Sequence, residues 1–153
     1  MYQKMLVPLD GSELAECSLE QAKIVAMACQ CPEVILLRVI EPDPQVTDIG
    51  GLSSERWYRD AQAKIQAEVK KYITNVADRL KKEGLKAKGI VITGSAADEI
   101  LDYASKNKVD IIVMSTHGRS GVSRWVVGSV ADKIIRHSPM PVLIVAPTAC
   151  RIA

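Results

Sequence analysis

Five short apolar runs punctuate the chain: Met5–Leu9, Val34–Ile40, Ala87–Ile92, Val109–Met114 and Val142–Val145. They are rich in Val and Ile, and several are continuous rather than alternating. Continuous runs of this kind suit parallel strands covered on both faces. Helical periodicity fills the intervals. Residues 13–29 set Leu14, Cys17, Ala22, Val25, Ala26 and Cys29 near helical spacing. Residues 55–83 carry one stripe from Trp57 through Ala61, Ile65, Val69, Tyr72, Ile73 and Val76 to Leu80. At the rise of an α-helix that stretch spans about 43 Å. Ser95 to Lys106 offers Ile100, Leu101 and Ala104. A short final helix runs from Ser129 to Arg136, with Ser129-Val130-Ala131-Asp132 as its capping box. Strand and helix alternate throughout, which predicts an α/β fold with a parallel sheet and helices on both faces.

The length of 153 residues suits one domain, 1–153, with a single core. The net charge of +2 is too small for a phosphate-backbone binder, and the 4% aromatic content leaves few stacking platforms, so no nucleic-acid partner is expected. No apolar run approaches the ~18 residues of a membrane span. The opening "MYQKMLVPLDGSE" breaks at Pro8 and Asp10, unlike a signal peptide. A cytoplasmic protein is expected. Cys29-Gln30-Cys31 is a C-x-C rather than a C-x-x-C, so Cys17, Cys29, Cys31 and Cys150 are expected to be reduced thiols.

The candidate chemistry collects where strands end. "EPDPQVTDIGGLSS", 41–54, carries two prolines and two glycines and reads as a mobile loop. It follows a strand and so belongs to the carboxyl edge of the sheet, where open α/β sheets bind ligands. In "VPLDGSE", Asp10 stands just past a strand, and Asp10 or Ser12 alone would be read as a helix cap. Val39 and Ile40 end the next strand. "MSTHGRSGVSRWVVGSVADKII", 114–135, crowds glycines, hydroxyls and cations into one connection. Gly118 and Gly121 permit positive φ or close backbone approach. Amides in such a turn converge on an anion. Gly128-Ser129 then opens a helix whose first N–H groups are free. The spacing fits neither G-x-x-x-x-G-K-[ST] nor G-x-G-x-x-G.

"KMLVPLDGSELAECSLEQA" together with "DIIVMSTHGRSGVSRWVVGSVADKIIRHSPMPVLIV" resembles the universal stress protein family across essentially the whole chain. The resemblance implies a five-stranded parallel sheet of order 3-2-1-4-5, related to the Rossmann-like, adenine-nucleotide α-hydrolase-like folds. Members that bind ATP carry G-x-x-G, nine residues, then G-[ST]. Gly118 and Gly128-Ser129 match its second half, and Ser115 replaces the first glycine. If the backbone at 115 needs positive φ, Ser costs roughly 1 kcal/mol more than Gly. If it needs only a small side chain, Ser fits and can donate a hydrogen bond. By the same resemblance Pro8, Asp10 and Val39 fall at the adenosine end and Met114 beside the base or ribose. Ser115, Gly118, Arg119, Gly128, Ser129 and Val130 fall along the triphosphate.

The implied cofactor is ATP, with Mg2+ held mainly by the phosphates. The implied assembly is a homodimer paired through Val142, Leu143, Ile144 and Val145. The expected role is a nucleotide-dependent stress-response regulator acting on a protein partner. The alternatives are a nucleotide-free interaction module and a slow ATPase or self-phosphorylating protein. No general base is placed for the latter.

Overall fold

The computed structural model describes residues 1–31, 33–43, 52–116 and 127–146, with 52–54 as backbone. Nine elements alternate along these segments: β1 (Lys4–Pro8), α1 (Glu13–Ala28), β2 (Glu33–Ile40), α2 (Leu52–Lys82), β3 (Ala87–Thr93), α3 (Ala96–Lys106), β4 (Ile111–Ser115), α4 (Ser129–His137) and β5 (Val142–Val145). The strands form one parallel sheet in the order β3-β2-β1-β4-β5, as the family resemblance implied.

The pleat divides each strand between two cores. Met5, Val7, Val34, Leu36, Ile111 and Val113 face α1 and α2, meeting Ala15, Leu19, Ala22, Ile73, Val76 and Leu80. Leu6, Ile35, Leu37, Val39, Ile112 and Met114 face α3 and α4, meeting Ala97, Ile100, Ala104, Ala131 and Ile134. Alternate residues thus serve opposite faces, and both are apolar, which is why the runs are continuous in sequence. Val109 remains outside β4; its amide donates to Ala104 O at 2.9 Å and closes the end of α3.

Three details depart from expectation. α2 begins at Leu52, so the helix enters the expected 41–54 loop; residues 44–51 lie outside the described residues. α4 is capped by Gly128, not Ser129, which is the first helical residue. Gly128 holds the cap because its amide is drawn onto Thr116 O at 2.9 Å. Cys17 is disulfide-bonded, against expectation, whereas Cys29 and Cys31 are free as expected. Spacing along the chain does not report the separation of two Cα atoms, which decides whether a disulfide closes.

α2 is 31 residues long, about 46 Å, against about 26 Å for the eight-residue β2. Only its second half lies on the sheet, through Ile73, Val76, Ala77 and Leu80. It is pressed onto β3 at Gly89, where an added Cβ would lie 2.9 Å from Ile73 Cγ2 and 3.1 Å from Ile73 O. Glu16 of α1 accepts from the Tyr72 hydroxyl at 2.8 Å and from Arg79 at 3.0 Å, tying the two helices together. At the amino edge Glu33 bridges Lys4 of β1 and Lys88 of β3. The Lys88 ammonium holds the Glu33 carboxyl below its usual range.

Gly89→Ala is expected to lower stability by about 1–3 kcal/mol, read from urea denaturation, because backbone rather than a flexible side-chain end must give way. Glu33 contributes stability above its unfolded-state pKa, and loses it as pH falls through its depressed folded value. The stability gap between the protein and Glu33→Gln is therefore expected to close in acid, below the ordinary glutamate range.

Candidate functional site

The strand order reverses between β1 and β4. Connections from β1 run toward β2 and β3 with helices on one face; those around β4 and β5 place α3 and α4 on the other. The chain leaves β1 and β4 in diverging directions, and a crevice opens at their carboxyl ends. A cleft of about 920 Å³ lies there. Its lining includes Pro8, Asp10, Val39, Met114, Ser115, Gly128, Ser129 and Val130. These residues are far apart in sequence and were grouped by motif alone. Gly118 and Arg119 complete the expected set and lie outside the described residues, as does the remainder of the 117–126 turn.

Three helices begin at this edge with described N-termini, and they differ in what meets their free amides. In α1, Ser12 Oγ accepts from Ala15 N at 3.1 Å, and Asp10 Oδ1 in turn accepts from Ser12 N at 2.9 Å. Gly11, at φ 84°, makes the turn between them. Ser12 is thus the cap, and Asp10 braces it. In α3 the N-cap Ser95 makes no side-chain cap bond; Glu41, at the end of β2, reaches across to accept from Ala96 N at 3.0 Å. Both helix ends already meet a side-chain oxygen of the protein. α4 starts from a glycine, so no cap side chain covers its first amides. Of these three, its positive end is the one that meets no capping side chain among the described residues, and such an end favours an anion.

Gly128 is needed for close approach rather than for unusual dihedrals. Its φ is −57°, and an added Cβ would lie 2.9 Å from Thr116 O. Ser115 has no positive φ; the non-glycine residues that do are Gln30 and Lys108 among the described residues. The residue is extended, ends β4 and is 6% exposed. Its hydroxyl is buried without a hydrogen-bond partner. Of the two possibilities left by the sequence, the backbone strain is therefore absent, and the small side chain fits. The hydroxyl, however, makes no hydrogen bond among the described residues.

The lining also contains residues the sequence did not point to. Arg38 comes from β2, Glu41 follows it, Thr116 follows β4, and Trp57, Tyr58, Gln62 and Ile65 come from α2. Arg38 hid inside an apolar strand, and the α2 residues looked like core. Tyr72 beneath them has its hydroxyl pKa pushed well up, first by burial and then by donation to Glu16; Asp10 adds to the rise and Arg38 opposes it.

The model of the Universal stress protein family matches residues 1–146. The chain belongs to that family. It is 35% identical to Universal stress protein MJ0577 of Methanocaldococcus jannaschii over 95% of both chains. The solved structure of MJ0577 superposes with a TM-score of 0.82 at 34% identity, covering 95% of this chain and 96% of that one. Universal stress protein YxiE of Bacillus subtilis is 31% identical, covering 95% of this chain and 99% of its own. A universal stress protein solved in complex with cAMP shares the fold at 22% identity, with a TM-score of 0.66 over 95% of this chain and 98% of that chain.

Ser115→Ala is expected to raise stability by about 1 kcal/mol, since it removes a buried hydroxyl that has no partner. Thermal unfolding of the ligand-free protein reads this; a fall in the melting temperature would show that the hydroxyl is satisfied.

Proposed function

We propose that this universal stress protein binds ATP in the cleft and acts as a nucleotide-dependent regulator in the cytoplasm. The observation that carries the proposal is the uncovered start of α4 facing the same cleft as Asp10, Val39 and Met114. An anion gains there from free amides and from the helix dipole. Pro8, Val39 and Met114 give the base and ribose an apolar wall, and Ser115, Gly118, Arg119, Gly128, Ser129 and Val130 follow the phosphates. That a relative of the same fold was solved with cAMP supports an adenine nucleotide as the ligand class.

Among the described residues no three His, Cys, Asp or Glu side chains gather to hold a metal. The Mg2+ that accompanies ATP would then be held mainly by phosphate oxygens. No helix among the described residues is long and apolar enough to cross a membrane. β5 pairs only with β4 among the described strands. Val142, Leu143 and Ile144 are half-buried on that edge, and pairing with a second copy would satisfy its free backbone groups.

Equilibrium dialysis with labelled ATP and Mg2+ tests the reading. Saturable binding is expected; none at millimolar ligand rejects it. Gly128→Ala, which must push Thr116 O away from the start of α4, is expected to weaken ATP about ten-fold, or roughly 1.4 kcal/mol. A homodimer at micromolar concentration is expected by light scattering, and a monomer there would remove the β5 pairing.

A further inference from the structure

The half of α2 that overhangs the sheet does not end its inward-facing stripe where the sheet ends. Ile73, Val76 and Leu80 bury that stripe against the strands. One turn after another it continues outward through Val69, Ile65, Gln62 and Tyr58, all of which line the cleft. Gln62 is the anomaly. A polar amide stands on the line where an apolar residue is expected, and it is half-buried rather than turned to solvent. Its nitrogen donates to the Tyr58 hydroxyl, one turn earlier, at 2.6 Å. That bond fixes the amide plane and leaves Oε1 with no donor among the described residues. A fixed acceptor on a stripe otherwise formed by Ile65 and Val69 is suited to a ligand N–H donor.

We propose that Gln62, oriented by Tyr58, is a specificity-determining residue that accepts a hydrogen bond from the exocyclic amine of the base. The inference rests on the reading that the cleft takes an adenine nucleotide. Adenine offers an N–H donor at that position. Guanine and hypoxanthine present a carbonyl oxygen, which would face Oε1 acceptor to acceptor. Phosphates contribute equally for all three, so the discrimination belongs to α2 and the affinity to the start of α4. A site built around one hydrogen bond disfavours a ligand that leaves it unmade more strongly than a purely apolar slot would.

The test measures dissociation constants for ATP, ITP, GTP and inorganic tripolyphosphate, with Mg2+, on the wild-type chain and on Gln62→Leu, Gln62→Glu and Tyr58→Phe. Wild type is expected to prefer ATP over ITP and GTP. Gln62→Leu is expected to weaken ATP about ten-fold and to leave tripolyphosphate within about two-fold, as loss of one hydrogen bond predicts. Gln62→Glu keeps an acceptor and is expected to retain the preference for ATP over ITP. Tyr58→Phe frees the amide and is expected to reduce that preference. Circular dichroism confirms that α2 is intact in each variant. An unchanged ATP-to-ITP ratio in Gln62→Leu overturns the inference while ATP binding by wild type stands. Failure of wild type to bind ATP overturns the nucleotide reading, and this inference with it.

Discussion

β1 and β4 are hydrogen-bonded along both edges and covered on both faces, and the rest of the molecule is arranged around that pair. Leu6, Val7, Ile112 and Val113 are fully buried. A strand so enclosed must be apolar at every position, and its neighbours can be reached only by crossovers through helices. Because right-handed crossovers from β1 and into β4 lie on opposite faces, the two chain exits separate. The cleft is the space this separation leaves. It is a consequence of strand order before it is a property of any side chain.

The chemistry of that space is then decided by which helix ends are already satisfied. Every helix that starts at the carboxyl edge brings free amides to it. Ser12 and Glu41 supply oxygen atoms to two of them. At the start of α4, Gly128 supplies none and is packed so tightly on Thr116 that a side chain has no room. The same glycine thus does two things: it brings the connection after β4 close to α4, and it leaves the positive end of α4 uncovered. The starts of α1 and α3 meet the Ser12 hydroxyl and the Glu41 carboxylate at the corresponding place, which leaves the start of α4 different from both.

The opposite wall has a different origin. α2 exceeds its partner strand by several turns, and its stripe of inward-facing residues runs past the edge it packs against. The core half is held by Ile73 against Gly89 and by the Glu16–Tyr72–Arg79 contacts. The outer half continues the same helix without a break. Side chains on it are positioned by a continuous helix, the kind of support that holds a ligand-facing group in one geometry.

Much of this was legible in the chain. The continuous Val- and Ile-rich runs pointed to parallel, doubly covered strands, because they are short, β-branched and separated by helical patterns. Gly128-Ser129 and Asp10 announced helix starts at strand ends. The resemblance to the universal stress proteins supplied the strand order, and the structure bears it out. The sequence could not say which hydrogen bonds the caps make. Ser129 looked like the cap because its spacing to Asp132 fits a capping box, yet a backbone bond from Gly128 to Thr116, twelve residues earlier, moved the boundary. Nor could it separate the two halves of α2. Ile65, Val69 and Ile73 belong to one periodic pattern, and periodicity reports a face without reporting what stands opposite. Tertiary structure decided that part, since the sheet ends after a few strand residues while the helix does not. Local patterns determine the elements because they depend on near neighbours in the chain; the cleft and its lining depend on distances between segments that no spacing rule contains.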